Sequence, residues 1–399
     1  MILKQVKGNN VNRIGFRVYH LADGNGKYQI DDAVKIVGVG ESPVTEQSLN
    51  SYVIETSELT NSSSVKIKIK IDGEVNSPYS IVAYGYNCAS GTEFPYTLTN
   101  QTKTVKVNEG GIEEEIDVNI VGLQCDMTDE SFPEEIFAGQ IEAKVNEYGL
   151  FVAENTLILE RQVAGMLVYL EGVPSHVDNQ KVAKVTISTI MDVTGLKFPS
   201  VGTYNGIVTY GYQKTDLLTF EFKDNSDVSN YNLVPFNGGD YTFSRKVTID
   251  EREETKKYLF PKEMDEDVKQ YLDEHIECKD NTLFGSCFLL PFPASNTSYD
   301  FGGNNGKWNA LNIVYWNESG DIITAVPLKD MSTPYSIECN HFYSIGTKRT
   351  AEIPNEDDPS DPNDDPLDIG EKTGYDYYFV KINDAWMVIL VWKNNVFHY

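Results

Sequence analysis

The strongest pattern along this chain has a period of two. Val65-Lys-Ile-Lys-Ile-Lys-Ile71 alternates apolar and lysine positions without a fault. Successive side chains of a strand point to opposite faces, so one face of this segment packs and the other meets water. The alternation recurs at 103–107, 116–120, 139–145, 184–190, 217–222 and 246–249. Denser apolar runs at 80–86, 207–212, 310–316 and 322–328 predict strands buried on both faces. Between these runs stand turn formers: Asp23-Gly-Asn-Gly, Asn108-Glu-Gly-Gly, Asn237-Gly-Gly and Gly302-Gly-Asn-Asn-Gly. Many short strands punctuated in this way predict an all-β chain built of sandwiches or barrels. Helical spacing is confined to one place. Met264, Val268, Tyr271, Leu272 and Ile276 share a face, with Asp265, Glu266 and Asp267 in the first turn, where the helix dipole favours acids. One short helix is expected over 263–277, covering a sheet face.

The pattern also divides the chain. A strand-rich block fills an N-terminal domain, 1–154, and regular patterning resumes through a second, 155–350. Next comes 351–374, containing Glu352-Ile-Pro-Asn-Glu-Asp-Asp-Pro-Ser-Asp-Pro-Asn-Asp-Asp-Pro366. Proline removes backbone donors and like charges repel, so this linker is expected to be extended and exposed. The chain then turns apolar again over 375–399. A strand behind a long spacer can reach away from its own domain.

Composition narrows the functional classes. Sixty acidic residues stand against 33 basic ones among 399, a formal net charge of −27. Such a surface repels phosphate backbones and anionic lipid, and no basic cluster reverses this, so nucleic acid is not an expected partner. No window reaches the roughly 18–20 apolar residues a spanning helix needs. Met1-Ile-Leu-Lys-Gln-Val-Lys7 is too short and charged for a leader, so the chain is either cytosolic or exported behind a leader not in this sequence. The cysteines (Cys88, Cys125, Cys278, Cys287, Cys339) form no CxxC pair. Cys278 and Cys287 are close enough in sequence to bridge, though buried free thiols fit equally well.

The chemistry of catalysis is hard to find. His20, His176, His275, His341 and His398 are scattered, and none lies in a GxSxG, HExxH or HxH setting. A paired-carboxylate glycosidase is a distant reading, since most of the acids suit a solvated surface. Gly302-Gly-Asn-Asn-Gly-Lys307 fails as a phosphate loop, because Phe301 and Trp308 stand where glycine and a magnesium-binding hydroxyl are needed. A glycine-rich hairpin turn fits better. Asp361, Asn363 and Asp365 alternate as in a calcium loop, but Pro366 occupies the glycine position, and a solvated linker is favoured. No metal or other cofactor is expected. Trp386 and Trp392 are six apart and so share a strand face, as groove anchors or as core; Trp316 ends a buried run.

Four segments carry a family resemblance. Ser80-Ile-Val-Ala-Tyr-Gly-Tyr86, Pro133-Glu-Glu-Ile-Phe-Ala-Gly-Gln-Ile141, Leu157-Ile-Leu-Glu-Arg-Gln-Val-Ala164 and Asn340-His-Phe-Tyr343 occur in order across nearly the whole chain. Together they resemble the fimbrillins of Bacteroidetes, the shaft, tip and anchor proteins of pili typified by the major and minor fimbriae of Porphyromonas. The resemblance implies two transthyretin-like β-sandwiches in tandem, export as an outer-membrane lipoprotein, and a non-catalytic cell-surface role. It implies polymerisation in which proteolysis after an arginine removes an early strand and a neighbour's extended strand fills the groove. The partners implied are other fimbrial subunits and a host protein or glycan, with membrane contact only through a lipid anchor on the precursor. On this sequence the donor-strand candidates are Phe379, Ile382, Trp386, Val388, Leu390 and Trp392; the competing reading of the same segment is an ordinary last hairpin of the second sandwich. The processing candidates are Arg13 and Arg17, the only early arginines, within or beside the first expected strand. The lipobox cysteine and leader of the family are not in this sequence, and shaft, tip and anchor roles stay open. The alternative function is a surface glycan-binding lipoprotein with Trp308, Trp386 or Trp392 as a sugar platform.

Overall fold

The computed structural model describes residues 2–5, 11, 13–21, 27–55, 64–71, 78–86, 94, 96–109, 112–126, 136–145, 151–153, 156–171, 176–199, 204–208, 215–222, 231–233, 249–251, 258–261, 276–277, 282–294, 299–300, 307–308, 310–330, 333–334, 336–345, 349–350, 367–368 and 381–383. Strands dominate them, and the sole helical piece among the described residues is a single 3-10 turn, Leu49–Ser51. The helix expected over 263–277 falls outside the described residues except at Ile276–Glu277, which are extended and pair with Arg349–Thr350. The chain divides into two compact units: 1–127 with 134–163 and 195–207, and 128–133 with 164–194 and 208–399. The first therefore takes in a stretch, 195–207, that lies well past residue 154.

In the first unit the strands are β1 (Ile2–Gln5), β2 (Arg13–Leu21), β3 (Tyr28–Ile30), β4 (Val34–Val39), β5 (Ser42–Ser48), β6 (Ile54–Glu55), β7 (Ser64–Ile71), β8 (Pro78–Tyr86), β9 (Thr97–Glu109), β10 (Ile112–Asp126), β11 (Phe137–Val145), β12 (Phe151–Ala153) and β13 (Thr156–Arg161). One sheet runs β3-β2-β8-β11-β13-β1-β7-β4-β5, with β6 on β2 and β12 on β11. Its two halves share one apolar core: Ile14, Phe16 and Val18 of β2, Ile81 and Ala83 of β8 and Leu157 and Leu159 of β13 cluster with Val34 and Ile36 of β4 and Ile67 of β7. The sheet thus folds over itself as a sandwich, and β1 is the strand that joins the halves. Each fully buried large side chain contributes about 1.5–3 kcal/mol. The lysine alternation in β7 is realised: Ile67 is buried while Lys68 and Lys70 stand exposed against Glu41 and Glu46. Such exposed pairs add at most about 1 kcal/mol each.

The odd positions of β2 and the even positions of β8 face the other way. There Tyr84, Tyr86, Phe94, Tyr96 and Phe198 form a chain of stacked, edge-on and tilted ring contacts 4.7–6.1 Å apart. Burial on both faces, as the 80–86 run predicts, follows from a second sheet laid over β8. Its order is Gly206–Val208, Val193–Phe198, β10, β9. The Tyr19 hydroxyl donates to the Gly122 carbonyl at 2.7 Å, pinning this sheet to β2. Burial holds the Tyr19 phenol far above its ordinary pKa, so the hydroxyl keeps its proton and its donor role.

The second unit is built around a sheet running Thr333–Pro334, Ile322–Asp330, Leu311–Trp316, Lys184–Thr189, Thr215–Phe222, Tyr231–Leu233, Ile249–Glu251, Tyr258–Pro261, Thr282–Leu289, Ala164–Glu171, Phe342–Ile345, Lys381–Asn383. Leu311–Trp316 is buried at every position, as its unbroken apolar run requires. A polar row crosses this core: the Trp316 Nε1 donates to Thr186 Oγ1 at 3.0 Å, Thr186 and Ser188 share a bond of 2.7 Å, and Ser188 donates to Asp216 at 2.7 Å. Buried polar groups satisfied in this way fix register rather than add much stability. Tyr299–Asp300 pairs antiparallel with Lys307–Trp308, and the glycine-rich run between them, 302–306, lies outside the described residues.

Candidate assembly site

β1 is the feature on which the first unit's closure depends. Ile2–Gln5 pairs parallel with Thr156–Leu159 of β13 on one side. On the other, Ile2, Leu3 and Lys4 pair antiparallel with Lys66, Val65 and Ser64 of β7. Remove β1 and the sheet falls into β3-β2-β8-β11-β13 and β7-β4-β5, with a free edge on β13 facing a free edge on β7. Unpaired strand edges invite another strand. Gly139 matters beside this edge, because a Cβ there would collide with the Ile158 carbonyl.

The two processing candidates lie just downstream. Arg13 begins β2, its backbone paired with Glu55 of β6 and with Tyr86 of β8. Its guanidinium reaches the Glu55 carboxylate at 3.1 Å and its side chain is 11% exposed. Arg17 lies further along, opposite Val82. Its Nε is buried and has no hydrogen-bond partner among the described residues. The guanidinium's positive charge acts on Tyr19, Tyr84 and Asp32. Neither arginine sits on a free loop: a protease needs extended, unpaired backbone, so cutting at Arg13 requires its pairings with β6 and β8 to open.

At the other end of the chain, Ile382 lies within Lys381–Asn383 and sits opposite Tyr343 of Phe342–Ile345 in antiparallel register. Phe379, Trp386, Val388, Leu390 and Trp392 lie outside the described residues, as does most of the acidic linker with Asp361, Asn363 and Asp365. Leu367–Asp368 of that linker pairs with Leu170 and Glu171. Ile382 belongs to the second unit and the processing arginines to the first. Sequence reasoning found the arginines but not β1. The signal for β1 is four residues long, and only pairing to strands more than 60 and 150 residues away makes it visible.

The remaining candidates resolve differently. Trp308 is fully buried and Trp316 is 7% exposed, so neither is a sugar platform. The platform expected at Trp308 is overturned, because its ring is shut away from solvent in the core. Cys287 is buried, Cys125 is buried with a free thiol, and burial pushes the Cys125 thiol up to about 12. A thiol held protonated in this way is inert. His20 stacks on Tyr79 and lies 3.7 Å from Asp31, while His341 bonds the Cys339 carbonyl at 2.9 Å. Both have local structural partners. No group of metal-ligating side chains occurs among the described residues.

What fold and site define together is a class: an all-β chain of two units in which the first unit's sandwich is closed by the chain's own first strand. No family model matches the sequence, and no curated protein matches it. Among solved structures, the tip fimbrial protein Mfa3 of Porphyromonas gingivalis shares 10% identity, with 86% of this chain and 93% of that chain covered at a TM-score of 0.30. A candidate adhesin of Bacteroides ovatus shares 10% identity over 86% and 88% of the two chains at a TM-score of 0.35. A fimbrial assembly protein of Parabacteroides distasonis shares 10% identity over 81% and 97% at 0.24. The structural neighbours are thus adhesins and fimbrial proteins of the bacterial group whose fimbrillins the sequence segments resemble. At such TM-scores the likeness carries no argument about what this chain does.

Proposed function

We propose that this chain is a cell-surface fimbrial subunit, structural or adhesive and without catalytic activity, that assembles with other fimbrial subunits by exchanging strands. The observation that supports it best is β1: a short terminal strand inserted between two others, whose loss leaves two facing edges. Backbone ladders on both sides would hold an incoming strand, and alternate side chains would set its register. The incoming strand is the apolar tail of another copy, carrying Phe379, Ile382, Trp386, Val388, Leu390 and Trp392 behind the acidic 351–374 linker. Between the processing candidates, the core favours Arg13. A cut there releases β1 and leaves β2 almost whole, whereas a cut after Arg17 would also detach Ile14 and Phe16, both fully buried in the core. Losing two such side chains costs several kcal/mol. Export, an outer-membrane location and a lipid anchor on the precursor follow from this reading.

The test is limited proteolysis with an arginine-specific protease, followed by addition of a synthetic peptide spanning 377–392. Cleavage after Arg13 should release β1, and the peptide should then protect the backbone amides of 64–66 and 156–159 from exchange. A cleaved, folded chain that takes up neither the peptide nor another copy would overturn the proposal.

A further inference from the structure

The β9–β10 ribbon has a use that strand exchange at β1 does not require. The ladder from Thr97 to Glu109 is interrupted once, where Asn119 pairs with Thr102 but Leu123 pairs with Asn100, so three residues oppose one. Gly122 sits in this bulge at φ 133°, a conformation closed to other side chains. The bulge splits the ribbon. The part beyond Gly122 joins the four-stranded sheet, since Leu123–Asp126 pairs with Gly195–Phe198. The part before it, 102–109 with 112–119, has no further strand on either side among the described residues. At about 3.3 Å per residue this arm is about 25 Å long and exposes two bare edges.

The two edges differ in charge. On β9, Lys103 and Lys106 are exposed. On β10, Glu114, Glu115 and Asp117 are exposed. Within one arm, Lys106 lies 3.7 Å from Glu115, and Thr104 donates to Asp117 at 2.8 Å. We propose that this arm is a docking surface for a second copy of the chain, the lysine-bearing edge of β9 in one copy lying against the acidic edge of β10 in the next. Like edges exclude one another: β9 on β9 sets lysine against lysine, and β10 on β10 sets carboxylate against carboxylate. Only the unlike pairing matches charge and extends the ladder, and it repeats the register chemistry that Lys106 and Glu115 already use within the arm. A contact between two different patches is heterologous, so it continues into a row or a ring of copies rather than ending at a dimer.

Sedimentation across a wide concentration range tests this, at physiological ionic strength, where a Debye length of about 8 Å screens the repulsion between copies of −27 charge. The wild-type chain should form growing, reversible oligomers. Lys103→Glu with Lys106→Glu should abolish them, and so should Glu114→Lys with Glu115→Lys. The second pair makes the chain less acidic, so bulk repulsion alone would predict stronger association. Mixing the two half-swapped proteins should restore oligomers, and the four-fold swap, which keeps the charge match within each arm, should behave as wild type. Three results would overturn the proposal: a wild-type chain that stays monomeric throughout, half-swaps that associate as well as wild type, or a mixture and a four-fold swap that both stay monomeric. Association gained on deleting residues 1–12 and kept in both half-swaps would belong to strand exchange instead.

Discussion

Ile2–Gln5 lies inside a sheet with a paired strand on each side, whereas Lys381–Asn383 has one paired strand among the described residues, Phe342–Ser344. Both are short pieces near a chain end, and four or three residues of ladder add only a few kcal/mol of net hydrogen bonding. Their structural consequences differ because of position. Taking away an edge strand exposes one new edge and leaves the sheet otherwise intact. Taking away an interior strand parts the sheet and exposes two edges, beside a core that both halves share. The first end is therefore a closure and the second an addition. A strand held by backbone ladders on both sides is the more replaceable kind, since any extended segment supplies the same donors and acceptors.

The sharpest way to break this contrast is deletion of residues 1–12. It should destabilise the first unit by about 3–6 kcal/mol in chemical denaturation, from the lost ladders on both flanks. Stability should return on adding a peptide of residues 1–7. No change in the midpoint would mean that β1 closes nothing. Leu157→Ala tests the shared core behind the closure; Leu157 is fully buried opposite Leu3, and its truncation should cost about 2–5 kcal/mol. Gly139→Ala should cost about 1–3 kcal/mol, because the Ile158 carbonyl has to move to admit a Cβ. A neutral result at Gly139 would show that the β11–β13 edge is loose rather than fitted.

Deletion of 370–399 should have a smaller effect. Amides of Phe342–Ser344 should exchange faster, with the first unit's denaturation midpoint unchanged; a drop in that midpoint would erase the distinction between the two ends. Its effect on surface assembly is a separate readout, since the proposed donor strand is lost with it. The smallest effect concerns Asp32, which accepts hydrogen bonds from Ser48 and Asn50. These bonds hold its carboxyl below the usual carboxylate range. A depressed folded pKa contributes stability above the unfolded value and loses it as pH falls through the folded one. Asp32→Asn should therefore lower stability slightly at neutral pH and converge with wild type in acid, flattening the acid limb, as a pH series of melting curves would show.

Among the described residues, period-two reading found strands where alternation or an unbroken apolar run stood out, as at 65–71, 80–86, 139–145 and 311–316; most of 207–212 and 246–249 lies outside them. β7 shows its lysines to water and Leu311–Trp316 is buried throughout because those patterns reflect burial directly. It missed what no local pattern encodes. Ile2–Gln5 is too short to show a period, and 195–207 joins the first unit only through pairing with β10. Trp308 could not be told from an exposed platform, since aromatic residues suit both settings and only the surrounding core decides.

The sequence by itself determined that this protein is made of strands, which faces of the patterned ones pack, and how acidic its surface is. Those properties follow from side-chain chemistry repeated at fixed spacing along the backbone. Strand order, the closing role of β1 and the bulge that sets the β9–β10 arm apart were decided only by the tertiary structure. A hydrogen-bonded ladder accepts almost any extended segment, so the choice among segments is made by the shape and burial of the core they enclose.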